Sequence, residues 1–147
     1  MTDGYVLRNI EIYHDTAPHV GKAAQVRKTI TNSDQSFFIG LSGNLHPLYV
    51  DEIHARKFSA NGRIVFELIL GSLATNVLLE LCGASYRLAG MNLDFPQAAH
   101  VNDTILAKAE VRSQDKGHVI CSVSCETYPQ GVVVARGDAR LIKAIEK

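Results

Sequence analysis

The stretch from Ile64 to Cys82 limits the possible folds more than any other part of the chain. Ile64, Leu68, Ser72, Thr75, Leu79 and Cys82 recur at helical spacing, and Val65, Ile69, Leu73 and Val77 line the other face. Apolar residues on both faces predict a helix buried nearly all round, and its polar side chains are few and mostly small. Such a helix needs a second layer that curves about it. Between Glu67 and Glu80, the uncharged run Leu68 to Leu79 is too short to cross a bilayer, which takes about 20 apolar residues.

The residues that follow can supply that layer. After Gly83 the apolar period drops from helical to two. Tyr86 to Phe95 suits one strand. Ile105, Ala107, Ala109 and Val111 alternate with Leu106, Lys108, Glu110 and Arg112. Asp115-Lys116-Gly117 reads as a hairpin turn. Val119, Cys121, Val123 and Cys125 alternate in turn with Ile120, Ser122 and Ser124. Tyr128-Pro129-Gln130-Gly131 is a further turn, and Val132 to Ile142 a last strand. Consecutive strands at meander spacing favour antiparallel pairing.

Upstream, Gln25 to Ile30 suits an early strand. Thr31-Asn32-Ser33-Asp34 reads as a helix cap and Asp34 to Ile39 as a short helix, ended by Gly40 and Gly43. Pro47 interrupts the chain. Val50 to Phe58 suits another short helix with Asp51 and Glu52 in its first turn, and Asn61-Gly62 marks a turn. One early strand, helices in the middle and four late strands define an α+β fold: a curved antiparallel sheet wrapped around a long central helix. No repeat or linker splits the 147 residues, so residues 1–147 form one domain, with residues 1–22 as a lead-in.

Charge and cysteine usage narrow the function classes. Fifteen Lys and Arg balance fifteen Asp and Glu, so the chain has no general pull on a phosphate backbone or an anionic membrane. Neither nucleic acid nor membrane is an expected partner. Three cysteines, with no Cys-x-x-Cys, read as free buried thiols in a reducing compartment, and a cytoplasmic protein is expected. Asp3 and Glu11 interrupt the N-terminus, which does not read as a secretory signal. His14 and His19 lack a third ligand at sensible spacing, so no metal is expected. There is no Gly-x-Ser-x-Gly elbow and no glycine-rich phosphate loop. Arg136 and Arg140 share a strand face and read as solvated arginines, or as contacts for an anionic group at a dimer edge.

The candidate site is the polar segment Ser42-Gly43-Asn44-Leu45-His46-Pro47-Leu48-Tyr49-Val50-Asp51, next to the apolar helix. An ordinary capped turn, with His46 and Tyr49 packed half-buried, is the alternative. This segment resembles the Ser-Gly-Asp-x-Asn-Pro-x-His loop and following acidic residue of the MaoC-like (R)-specific enoyl-CoA hydratases and dehydratases, which have the hot-dog fold. Gly62-Arg63-Ile64, Phe95-Pro96 and Asn102-Asp103-Thr104 match further elements of that family. The resemblance runs from about Gly21 to Ala144.

The resemblance implies a single hot-dog domain, pairing into a homodimer or higher homo-oligomer, that takes an acyl-CoA or acyl-carrier-protein thioester with no cofactor. It also marks where this chain departs. The family's catalytic Asp and His are Asn44 and Tyr49 here. The His-Gly that follows Arg-Ile-x at the central helix is Phe66-Glu67. Hydration of an enoyl thioester needs a base for water, an acid for the α-carbon and a donor for the enolate oxygen. Asn44 orients water but is no base near neutral pH. Tyr49 is an acid or orienting donor and a weak base. Asp-to-Asn in a catalytic triad of another enzyme class costs roughly 10⁴-fold. His46 has a suitable pKa for base work or lines the site as a structural residue. Glu67 caps the helix or supplies a new carboxylate.

Tyr49, Asn44 and His46 are therefore the catalytic candidates, and Ser42, Gly43, Arg63, Phe66 and Glu67 the substrate-binding ones. The expected activity is a hydratase- or dehydratase-like lyase with an altered loop, shifted where active to another elimination, an isomerisation or a cyclisation. The alternative is an inactive hot-dog domain that binds acyl thioesters or partners an active paralogue. A thioesterase on the same fold would draw its carboxylate from Glu67 or Glu80.

Overall fold

The computed structural model describes residues 17–144. His14, Asp3, Glu11 and most of the lead-in lie outside the described residues. The elements run β1 (Ala23–Thr29), α1 (Asn32–Ser42), α2 (Pro47–Val50), α3 (Glu52–Arg56), α4 (Leu68–Cys82), β2 (Tyr86–Asp94), β3 (Thr104–Asp115), β4 (His118–Thr127) and β5 (Val133–Lys143). The strands form one antiparallel sheet in the order β1-β3-β4-β5-β2. Register shifts at Val111/Ser113, Leu88/Gly90 and Cys125/Glu126 increase its local twist. The α+β reading holds: α4 packs against β1, β2, β3 and β4.

The period-two residues do what their spacing predicts. Ile105, Ala107, Ala109 and Val111 of β3, and Val119, Cys121, Val123 and Cys125 of β4, are all buried. In register, Ala109 faces Val123 and Ala107 faces Cys125, so small side chains floor the sheet beneath the helix. Onto that floor α4 sets Ile69, Leu70, Ala74, Val77, Leu78, Leu81 and Cys82. Burying one Leu contributes roughly 1.5–3 kcal/mol, so this face is the fold's main apolar stabilisation. All three cysteines are free and buried.

Two expectations about α4 need correction. The helix starts at Leu68, not Ile64. Ile64 forms an antiparallel bridge with His100, and the Val65 N–H donates to the Ala99 carbonyl at 2.8 Å, so these residues are extended. Nor is the helix buried all round. Ser72, Thr75 and Asn76 face outward, and Leu68 is 60% exposed. The sheet covers only one side of the helix.

The early elements also shift. Gly40 lies inside α1, because its αR backbone continues to Ser42. Gly43 ends the helix, with φ of 70° in the left-handed region that favours glycine and its N–H donating to the Ile39 carbonyl. The expected helix over Val50–Phe58 is divided: Val50 ends α2, which starts at Pro47, and α3 covers only Glu52–Arg56. Asp51 breaks them with extended backbone, and its carboxylate accepts the His54 N–H to start α3.

Candidate active site

The polar loop is built from its own side chains. The Asn44 N–H donates to Ser42 Oγ, the His46 N–H to Asn44 Oδ1, and the Leu48 N–H to His46 Nδ1, each at 3.1 Å. These bonds carry the chain from the end of α1 into α2, with His46 as the N-cap and Pro47 in the first turn. Accepting at Nδ1 leaves the proton of a neutral His46 on Nε2. His46, Asn44, Ser42 and Gly43 are exposed.

One turn later, α2 points Tyr49 inward. Its ring meets Phe66 edge-on at 5.3 Å between centroids and lies 5.5 Å from the His46 ring. Phe38 adds a further aromatic wall, 6.5 Å from Phe66. The Tyr49 hydroxyl donates to Glu67 Oε2 at 2.5 Å. Burial, then the hydrogen bond and the charge of Glu67, push the Tyr49 phenol up to about 12. The phenol thus keeps its proton throughout the neutral range. Glu67 occupies the residue before α4, and its side chain makes no capping bond to the helix.

The candidates separate into two groups. Tyr49, Phe66, Glu67 and His46 come together. Arg63 turns elsewhere: its Nε pairs with Glu52 Oε2 at 3.1 Å and its Nη2 donates to Asn32 Oδ1 at 2.8 Å, joining α1 to α3. A cleft of about 320 Å³ opens beside Tyr49 and Val50, with Gln35, Ile39 and Arg63 among its walls.

Gln35 has no counterpart among the sequence candidates. It is 1% exposed, and its amide bonds the main chain at Tyr49, Ile64 and Phe66. The only signal in the sequence is a glutamine four residues before Ile39, on the buried face of α1.

Two other clusters have structural explanations. Ser59 Oγ lies 3.2 Å from His100 Nε2, but His100 Nδ1 is 3.9 Å from Asp103 Oδ2, beyond a hydrogen bond. That oxygen accepts the His100 backbone N–H instead, so the group clasps two loops. A concavity of about 520 Å³ on the outer face of β1, β3 and β4 carries Lys108, Glu110 and Arg112. Its charges are already paired, Lys108 with Glu126 and Arg112 with Glu110. Arg136 and Arg140 are exposed on β5. Among the described residues, no three His, Cys, Asp or Glu side chains gather to hold a metal, and no helix is long and apolar enough to cross a membrane.

A curved antiparallel sheet around one long helix, with a capped polar loop at the helix start, is the hot-dog fold of the MaoC-like hydratases and dehydratases. No protein-family model matches the chain. It is 28% identical over 125 residues to the (R)-specific enoyl-CoA hydratase of Rhodospirillum rubrum, covering 83% of this chain and 85% of that one. Among solved structures, the (R)-hydratase from A. caviae involved in PHA biosynthesis superposes with a TM-score of 0.79 at 26% identity, covering 86% of this chain and 97% of that one. A MaoC-like dehydratase from Rhodospirillum rubrum gives a TM-score of 0.65 at 19% identity, covering 88% and 95%. The chain is similar to the (R)-specific enoyl-CoA hydratases in sequence and to the MaoC-like dehydratases in fold.

Proposed function

We propose that this protein is a hydratase- or dehydratase-like lyase acting on acyl thioesters, with Tyr49 and Glu67 as its acid–base pair. The observation that carries the reading is the 2.5 Å bond between the Tyr49 hydroxyl and Glu67 Oε2, made at the loop where the similar hydratases carry their dyad. Glu67 takes a proton from water as the hydroxyl adds to the β-carbon of an enoyl thioester. Tyr49, protonated at neutral pH, delivers a proton to the α-carbon. The proton held by Glu67 then passes back along the short bond to the phenolate. One water is added and both groups return to their starting state.

The enolate oxygen needs a donor. The first N–H groups of a helix lack partners within it, and the Phe66 N–H is already held by Gln35. Among the described residues, the Glu67 and Leu68 N–H groups are the main-chain donors left there to face the thioester oxygen. Asn44 and His46 shape the loop, and His46 presents its Nε2–H to substrate. The domain pairs with a second copy. The outward face of α4, with Leu68, Ser72 and Thr75, and the outer edge of β2 support that pairing. Light scattering on the purified protein measures it.

The decisive assay follows the loss of enoyl absorbance and the gain of one water by mass, on crotonyl-CoA, longer enoyl-CoAs and the matching carrier-protein thioesters. Tyr49→Phe and Glu67→Gln are each expected to lower kcat by at least about 10²-fold. A second reading, a thioester-binding domain without turnover, is favoured by Asn44, whose Oδ1 is engaged by the His46 N–H. It prevails if the native chain turns over none of these thioesters while Asn44→Asp/Tyr49→His gains activity.

A further inference from the structure

We propose that Gln35 is the positioning residue of the Tyr49–Glu67 pair. For its effect on rate this rests on the reading above; its geometric part does not. Gln35 stands in the second turn of α1 and is 1% exposed. Its Nε2 donates to the Ile64 carbonyl at 2.9 Å and to the Tyr49 carbonyl at 3.3 Å, and its Oε1 accepts the Phe66 N–H at 3.0 Å. Two carbonyls and one N–H converge on it, so only an amide in this orientation satisfies all three. A carboxylate cannot donate and a hydrocarbon cannot do either.

The two segments Gln35 joins are the ones that carry the pair. Tyr49 lies on α2, and Phe66 immediately precedes Glu67. The Ile64 N–H donates to the Leu48 carbonyl at 3.0 Å, which ties the two strands of chain on one side. Gln35 ties them on the other and anchors both to α1. The separation between the Tyr49 hydroxyl and the Glu67 carboxylate is therefore fixed from behind by an amide that touches neither. The same amide decides which N–H groups at the start of α4 remain free, because it holds that of Phe66.

Two variants separate positioning from bulk stability. Gln35→Met keeps length without hydrogen bonds. Gln35→Glu keeps an acceptor for the Phe66 N–H but, when ionised, places negative charge against two carbonyl oxygens. Three readouts are taken on folded protein: hydrogen exchange at the Phe66 amide, titration of Tyr49 by NMR of ring-labelled tyrosine, and kcat with KM on the enoyl thioester. Gln35→Met is expected to speed Phe66 exchange at least about tenfold, to move the Tyr49 titration down toward the ordinary tyrosine value near 10, and to lower kcat at least about tenfold with KM changed less than about twofold. Gln35→Glu is expected to keep Phe66 protected, to lose part of the Tyr49 shift, and to regain kcat as pH falls and its carboxyl gains a proton.

An unchanged Tyr49 titration in both variants overturns the proposal, as does a loss of kcat that only tracks the folded fraction. If Gln35→Met does not fold, the same criteria applied to Gln35→Glu decide. If the native chain turns over no thioester, the reading of the site as a lyase fails. Phe66 exchange and Tyr49 titration then test the positioning role by themselves.

Discussion

The Tyr49 hydroxyl and Glu67 Oε2 stand 2.5 Å apart although the two residues are 18 positions apart in the chain. A phenol that donates to a carboxylate at that distance makes a strong charge-assisted bond. Glu67→Gln removes the charge but not the burial, which is the larger cause of the raised Tyr49 pKa. The Tyr49 titration is therefore expected to fall only part of the way from about 12 toward 10. The sign for stability follows from the raised pKa of the folded state. The contribution of Tyr49 is complete below the unfolded value near 10 and is lost as pH rises through about 12. The loss of stability between pH about 10 and about 12, followed by urea melts, is expected to be smaller in Glu67→Gln. An unaltered titration of Tyr49 would refute the pairing.

The N-terminus of α1 carries a reciprocal cap. The Asp34 N–H donates to Thr31 Oγ1 at 3.1 Å, and Asp34 Oδ2 accepts the Thr31 N–H at 2.9 Å. Lys28 reaches the same carboxylate oxygen at 2.9 Å. The Lys28 hydrogen bond and then that of Thr31 bring Asp34 down to about 2. A lowered carboxylate stabilises the fold above its unfolded value near 4, and that contribution disappears as pH falls through about 2. Thr31→Ala is expected to destabilise the protein by about 1 kcal/mol in urea melts at neutral pH. Because α1 carries Gln35 and ends in the polar loop, activity is expected to drop with it.

Gly137 sits in the middle of β5, opposite Leu93 of β2 and Val123 of β4. A Cβ added there runs into the Asn92 carbonyl and the Leu93 Cα, which are backbone and cannot swing aside. Gly137→Ala is expected to cost about 1–3 kcal/mol by forcing β2 away from β5. Gly131→Ala serves as the comparison, since nothing crowds its Cβ, although its φ of 76° strains any side chain. Equal urea midpoints for Gly137→Ala and the native protein would show that the sheet relaxes freely at this edge.

Much of the fold was legible because it rests on periodicity. Ile105, Ala107, Ala109 and Val111 alternate, and all four are buried against α4 as alternation requires. Ile69 and Val77 announce a core helix for the same reason, and both are buried. Helix limits were less legible, because they depend on partners far away in the chain. Ile64 and Val65 have residues that suit a helix, yet His100 and Ala99 capture their backbone into an extended bridge. Local propensity could not register that competition. The site divides in the same way. The loop from Ser42 to Tyr49 stood out by its density of polar side chains, and a motif is enough to mark it.

A long apolar helix, an antiparallel sheet to follow it and a polar loop from Ser42 to Asp51 were already legible in the chain. Those facts follow from spacing and identity along the chain. Folding alone brings the Tyr49 hydroxyl to Glu67, turns Arg63 to Glu52 and Asn32, and sets the Gln35 amide on the main chain of Tyr49 and Phe66. Each of those contacts joins residues at least 11 positions apart. Their partners are chosen by the path of the backbone, and by the cost of leaving a buried polar group unmet.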